Sequence, residues 1–293
     1  MGKIKICILS FIILFFTSCS AEPDRFYVKN VMLSKEENMY RLTLVYYDFN
    51  SEKESYEKAE YLSEDIYRAG IKAMSERNYN FRLCENILLS PDIFYSDISK
   101  AVYLINSLKI SINANVVCYI GQPLTEDLKL AETDKNPLSS ISLNRDGVSG
   151  IFPIVSEKGS GSGAVIVCNG KPTEILDTNE HAVLKMLTNV TDRCALSFRD
   201  GEMWADITAA KTYFSIRNNK LYVNMNMKIK ESKGINNSVQ SRSLFNSLLE
   251  TEISNTIYEL YENLSANHIY SLHWYGMQKG IEYSDIKVKV KAV

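Results

Sequence analysis

Two hydrophobic periods run along this chain. From Lys220 to Lys230, Leu221, Val223, Met225, Met227 and Ile229 fall on one side and Tyr222, Asn224, Asn226 and Lys228 on the other. A two-residue period turns successive side chains to opposite faces, so this segment predicts a strand with one buried face. Ala205 to Ile216 reads as its antiparallel neighbour, joined through the turn at Asn218-Asn219. Further strands are predicted over 40–48, 81–89, 116–120, 164–168 and 194–198. At the end of the chain Ile286, Val288 and Val290 alternate with Lys287, Lys289 and Lys291. That lysine-lined strand suits either anionic lipid headgroups or a solvated face protected against aggregation.

The helical period appears elsewhere. Ala59, Leu62, Ile66, Ala69 and Ala73 recur every three or four residues and predict a helix over 58–76. Ser90-Pro91-Asp92 marks a turn, followed by a helix over 98–108 carrying Ile98, Val102, Ile105 and Leu108. Thr178 is placed to cap a helix over 179–188. The longest helix is expected over 241–265, where Leu244, Leu248, Leu249, Ile253, Ile257, Leu260 and Leu264 form a stripe fit to cover a sheet. Between 122 and 163 the periodicity fails, with Pro123, Pro137, Pro153 and GSGSG at 159–163, which predicts a linker. The pattern therefore predicts an α+β chain. An N-terminal α+β domain is expected over 25–121 and a C-terminal α+β domain over 164–293, each a largely antiparallel sheet covered by helices.

The N-terminus carries its own signal. Lys3 and Lys5 precede an apolar run from Ile6 to Phe16, and Phe16-Thr17-Ser18-Cys19 ends it. That is the shape of a secretory signal over 1–18. The run is too short for an uncleaved anchor, since spanning needs about 20 apolar residues. A cysteine straight after small residues resembles the lipobox of bacterial lipoproteins, which implies acylation of Cys19 and a tether over 19–24. An ordinary cleaved signal with a chance cysteine is the alternative. A diacylated cysteine supplies two chains, enough for stable anchoring. Residues 20–293 are then expected outside the cytoplasmic membrane, attached to its surface.

Composition narrows the function classes. Net charge is -2 with both signs interspersed, which argues against a nucleic-acid partner. No second run of about 18 apolar residues follows the first, so the body is expected to be soluble. Beyond Cys7 and Cys19, the cysteines Cys84, Cys118, Cys168 and Cys194 sit among apolar residues without metal-ligand spacing. Export would permit disulfides, whereas apolar flanks favour buried free thiols.

Catalytic constellations are sparse. His268 and His273 are five apart, which does not put two ligands on one helix face, and His181 reads as a surface residue. No HExxH, GxSxG or GK[ST] pattern occurs, and the Gly-rich run precedes a strand rather than a helix. Glu52, Glu54, Glu57, Glu60, Glu64 and Asp65 are interspersed with Lys53, Lys58 and Arg68, as on a solvated salt-bridged face. No catalytic residue, cofactor or metal site is assigned. Tyr222, Asn224 and Asn226, on the polar side of the alternating strand, suit contact with a partner or a plain exposed face.

The order β-α-β-β-β-α-β over 164–293, behind a lipobox-like signal, resembles the Ger(x)C-type spore germination lipoproteins, the C subunits of germinant receptors. GAVIVCNGKPTEILDTNEHAVLKMLTN (163–189), ADITAAKTYFSIRNNKLYVNMNMKIKES (205–232) and SLFNSLLETEISNTIYELYENLSANHIYSLHWYG (243–276) carry the resemblance. FRLCENILLSPDIFYSDISKAV (81–102) fits more loosely. Asn267 to Tyr270 stand where an acidic residue is common in that family, and the loop at Trp274 to Tyr283 is short. The resemblance implies a non-enzymatic lipoprotein on the outer face of the spore inner membrane, partnered by polytopic A and B subunits. A lipid-anchored small-molecule binding protein serving a transporter is the alternative.

Overall fold

The computed structural model describes residues 25–49, 55–121, 128–130, 134–157, 161–189, 193–198, 201–233, 239–266 and 286–292. The signal over 1–18, the tether with Cys19, the glycine-rich positions 159–160 and residues 267–285 lie outside these.

The fold is α+β, built on two mixed sheets. The first begins with a meander of β1 (Phe26–Glu36), β2 (Met39–Asp48) and β3 (Ser55–Ser63). Helix α1 (Ile66–Glu76), short β4 (Tyr79–Asn80), β5 (Asn86–Leu89), helix α2 (Pro91–Ser107) and β6 (Asn115–Ile120) follow. Then come β7 (Ser142–Asn144), β8 (Gly147–Ser156), β9 (Gly161–Cys168) and β10 (Lys171–Leu176). The strand order is β10-β9-β8-β6-β5-β1-β2-β3. The centre, β1-β5-β6-β8, is parallel and both margins are antiparallel. All four residues of β5 are buried, as a parallel strand covered on both faces requires.

Several elements differ from the expectation. Residues 55–63 form a strand, not the first half of a helix, because they pair with β2 from Tyr40↔Ser63 to Asp48↔Ser55. Tyr61 and Ser63 face inward while Leu62 is 44% exposed, so the spacing of Ala59 and Leu62 matched a helix only by coincidence. Asp65 then starts α1, its carboxylate accepting the backbone N–H groups of Tyr67 and Arg68 at 3.0 Å. Ser90-Pro91 is a helix start rather than a free turn. The Ser90 hydroxyl caps the N–H of Ile93, and Pro91 takes the first helical position, where a missing N–H costs nothing. The strand expected over 81–89 is confined to 86–89. Within 122–163, expected as a linker, β7, β8 and the start of β9 are sheet strands, and β9 with β10 belongs to the first sheet. The glycines there serve close packing. A side chain on Gly161 would collide with Asp134, and Gly163, at φ +108°, passes the carbonyl of Leu176.

Helix α3 (Thr178–Leu187) opens with a capping box. Asp177, not Thr178, accepts the N–H of Glu180 at 2.8 Å, and the Glu180 carboxylate accepts the N–H of Asp177 at 2.8 Å. The second sheet follows: β11 (Cys194–Phe198), β12 (Met203–Arg217), β13 (Lys220–Lys233) and β14 (Ile286–Ala292), in that order, with α4 (Val239–Ala266) between the last two. The pairs β11–β12 and β12–β13 are antiparallel, and β14 joins β13 in parallel.

One core lies between the first sheet and α1 with α2. A second joins the inner face of β11 to β14 with α3, α4 and residues of β9 and β10. The buried stripe of α4 is Phe245, Leu249, Ile253, Ile257, Leu260, Tyr261 and Leu264, whereas Leu244 is 62% exposed. The expected stripe was thus displaced by one position at its N-terminal end, Phe245 replacing Leu244. Ile257→Ala should cost about 2–5 kcal/mol by opening a cavity under α4. Leu244→Ala should change stability by no more than about 0.5 kcal/mol. Denaturant unfolding of the two variants checks the assignment, and equal losses would contradict it.

Candidate interaction surface

With its inner face spent on the core, the second sheet leaves its other face outward. The side chains of Leu221, Val223, Met225 and Met227 are buried, which turns Tyr222, Asn224, Asn226 and Lys228 to the outer side. Tyr222 and Asn224 are half-buried and Asn226 is exposed. The pairing registers extend this row across three strands. Ser215, Tyr222 and Lys287 align, then Tyr213, Asn224 and Lys289, then Lys211, Asn226 and Lys291. Paired residues share a face, so the three expected contact residues lie in the middle of one surface. The Lys211 ammonium lies 5.4 Å from the centroid of the Tyr213 ring. Tyr213 is 49% exposed. Lys211 and Tyr213 were not singled out from the sequence, although they alternate with buried Thr212 and partly buried Phe214 in the same two-residue rhythm.

The free edge of β14 is satisfied from within. The Tyr258 hydroxyl accepts the N–H of Val288 at 3.2 Å, and the Glu250 carboxylate accepts the N–H of Ala292 at 2.8 Å. Both acceptors come from α4.

Elsewhere, ionisable groups are held in structural roles. Helix α2 breaks its dihedrals at Asp97, at φ -139° and ψ 20°, and this carboxylate is buried. It accepts from Lys100 at 2.7 Å, Ser96 at 2.8 Å, Tyr40 at 2.9 Å and Lys35 at 3.0 Å. Burial pushes its protonation upward, but the hydrogen bonds from Lys100, Lys35, Ser96 and Tyr40 outweigh that and hold it well below the usual carboxylate range. A cleft of about 490 Å³ beside this cluster is lined by Lys35, Glu36, Arg41, Ser90 and Tyr119 among others. Its cations are engaged, Lys35 by Asp97 and Arg41 by Glu36 at 2.7 Å. The acidic run at 57–65 is spread over β3 and the start of α1. Lys58 and Glu60 pair at 2.7 Å, and Asp65 serves as the cap.

His181 is buried, not at the surface as expected, and its Nε2 has no hydrogen-bond partner. Burial first, and the Lys185 charge second, push it down to about 3. It is a neutral core histidine. His268 and His273 lie outside the described residues. No three of His, Cys, Asp and Glu gather in metal-ligating array among the described residues. Cys84, Cys118, Cys168 and Cys194 are free thiols. Burial pushes Cys84, Cys118 and Cys194 up to about 12. No helix among the described residues is long and apolar enough to cross a membrane.

No protein-family model matches the chain, and no curated protein matches it. Among solved structures it is similar to one described as "Crystal Structure of the GerBC protein". The two share 16% sequence identity, the likeness covers 89% of this chain and 96% of that one, and the TM-score is 0.49. A likeness at that level says nothing of function.

Asp97 carries a pH signature. A carboxyl held below its unfolded value of about 3.9 contributes stability that is complete above that pH and is lost as pH falls through the lower folded value. Asp97→Asn should therefore cost about 1–3 kcal/mol at pH 7. It should also flatten the fall in unfolding free energy below about pH 4. Denaturant titrations from pH 7 to pH 2 measure both, and an unchanged acid slope would contradict the role. In native protein at pH 8, iodoacetamide should label Cys168 first and spare Cys84, Cys118 and Cys194 until denaturant is added. Peptide mapping of early labelling at Cys84 would contradict their burial.

Proposed function

We propose that this chain is a non-enzymatic, membrane-anchored subunit of a spore germinant receptor, required for nutrient-triggered germination. The observation that carries the reading is the order of elements after residue 161. A strand, helix, three antiparallel strands, long helix and final strand follow one another there, with β10 added after the first. That is the order on which the resemblance to the Ger(x)C-type lipoproteins rests, and it stands behind a lipobox-like signal. Each segment quoted for the resemblance between 163 and 266 coincides with an element of α3, α4 or the strands around them.

In this reading Cys19 carries the lipid and the folded body stays on the outer face of the cytoplasmic, or spore inner, membrane. Polytopic A and B subunits are the partners. Confinement to the membrane plane raises effective concentration, so a modest contact surface suffices. Tyr222, Asn224 and Asn226, in the middle of the outward sheet face, are the contact residues we assign. The alternative, a small-molecule binding protein serving a transporter, needs a cleft between two hinged domains, for which 122–163 would have to be a free linker. The strands β7 and β8 in that segment weaken it.

Cys19→Ala, expressed from the native locus, should move the protein from the membrane fraction to the soluble fraction and reduce nutrient-triggered germination. Retention of the altered chain in the membrane fraction would contradict the lipid tether.

A further inference from the structure

The charges on the second sheet are not distributed as in the whole chain. The chain carries 33 basic and 35 acidic residues. The outward face of β12, β13 and β14 carries Lys211, Lys228, Lys287, Lys289 and Lys291, four of them in register as Lys211–Asn226–Lys291, Asn224–Lys289 and Tyr222–Lys287 rows. All five lysines are exposed. The acidic positions of this face, Asp206 and its register partner Glu231, sit past the register shifts at 206–209, beyond the Ala209–Lys228 pair and beyond the end of β14 with its three lysines.

Edge protection does not account for the three lysines of β14. Lysines on β14 would guard an open edge, but α4 already supplies acceptors to the N–H groups of Val288 and Ala292. Lys211 and Lys228 lie on β12 and β13 just past the ends of the β11 and β14 pairings, at Ile207 and Met227, and beside Lys211 the backbone of Thr212 is taken up by Asn189. What the five share is a plane. Lys287, Lys289 and Lys291 span about 13 Å along their strand, at about 3.3 Å per residue. Half-exposed Tyr213, with Tyr222 in the next row, adds amphipathic rings of the kind that settle at headgroup level.

We infer that the outward face of β12, β13 and β14 lies on an anionic phospholipid surface, a second membrane attachment independent of the N-terminal lipid. The inference takes its occupant from the membrane-subunit reading and its geometry from the sheet. A flat cationic face with interspersed tyrosines complements a plane of anionic headgroups, whose attraction is short-ranged and screened by salt. Tyr222, Asn224 and Asn226 lie within this face, so they would meet a membrane-embedded partner only where its outer surface replaces lipid beneath the sheet.

The test uses the full-length chain carrying Cys19→Ala, so that the lipid contributes nothing. Co-sedimentation is measured with neutral phosphatidylcholine vesicles and with vesicles containing 30% phosphatidylglycerol. Neutral vesicles report whatever the apolar N-terminus contributes. Each surface lysine near an anionic bilayer is worth about fivefold in binding. Lys287→Gln/Lys289→Gln/Lys291→Gln should therefore lose about 100-fold of the affinity for anionic vesicles and none for neutral ones. Lys211→Gln/Lys228→Gln, which leaves β14 intact, should lose about 25-fold. Raising salt to 0.5 M should erase the preference in the unaltered sequence. Circular dichroism matching the parent confirms folded variants. Equal binding to neutral and anionic vesicles, or both folded variants binding as the parent does, would overturn the inference while leaving anchoring through Cys19 standing. Binding to soluble polyglutamate as tight as to anionic vesicles would also overturn it, in favour of an acidic protein partner.

Discussion

The burial of α3 on every side is the constraint on which the two halves of the molecule depend. Seven consecutive residues, His181 to Leu187, are buried. An amphipathic helix has one dry face, whereas a helix dry all round must be enclosed by several elements. Here β9 lies on one side, and β11, β12 and α4 on others. Its polar groups are tied to the same surroundings. Lys185 donates to the carbonyl of Lys135 at 2.6 Å, and the Thr212 hydroxyl donates to the carbonyl of Met186 at 2.9 Å. Asn189, at the helix end, exchanges two hydrogen bonds with the backbone of Thr212. The first sheet and the second share one helix as a common filling.

That sharing explains the shape of the second sheet. With α3 and α4 on its inner side, the sheet has one face fully used and one face that no other helix or sheet among the described residues covers. The long hairpin of β12 and β13 and the parallel addition of β14 make the outer face broad rather than narrow. Its tyrosine, asparagine and lysine rows follow from the alternation of each strand. In the proposed reading, a receptor subunit works through such a face. The buried titratable groups, Asp97 with its four donors and neutral His181, hold the packing instead.

Much of the second half was legible in the sequence because its strands are amphipathic. Leu221 to Ile229 alternate without a break, and the sheet they predicted was found with the expected residues inside. The parallel centre of the first sheet was harder, since strands buried on both faces show no alternation, as the NILL of β5 illustrates. Strand β8 was hidden among glycine and proline that read as linker punctuation, though Pro153 and Gly150 are accommodated within a paired strand. Ala59 and Leu62 imitated a helical stripe because a strand and a helix adjoin there, and pairing with β2 decided the first segment. In α3 the deciding signal was present but misplaced by one residue, as Asp177 and Glu180 form the capping box that Thr178 was expected to supply alone. For the candidate surface, Tyr222, Asn224 and Asn226 could be placed on one face from spacing. Their neighbours Lys211 and Lys289 could not, because register between strands is a tertiary property.

The most direct test of the account is recovery of the tagged full-length protein from detergent-solubilised dormant-spore membranes, with mass spectrometry of everything that accompanies it. The account predicts co-purification of polytopic receptor subunits and a mature N-terminus at an acylated Cys19. Recovery of the chain alone, or together with the components of an ATP-driven permease, would contradict it.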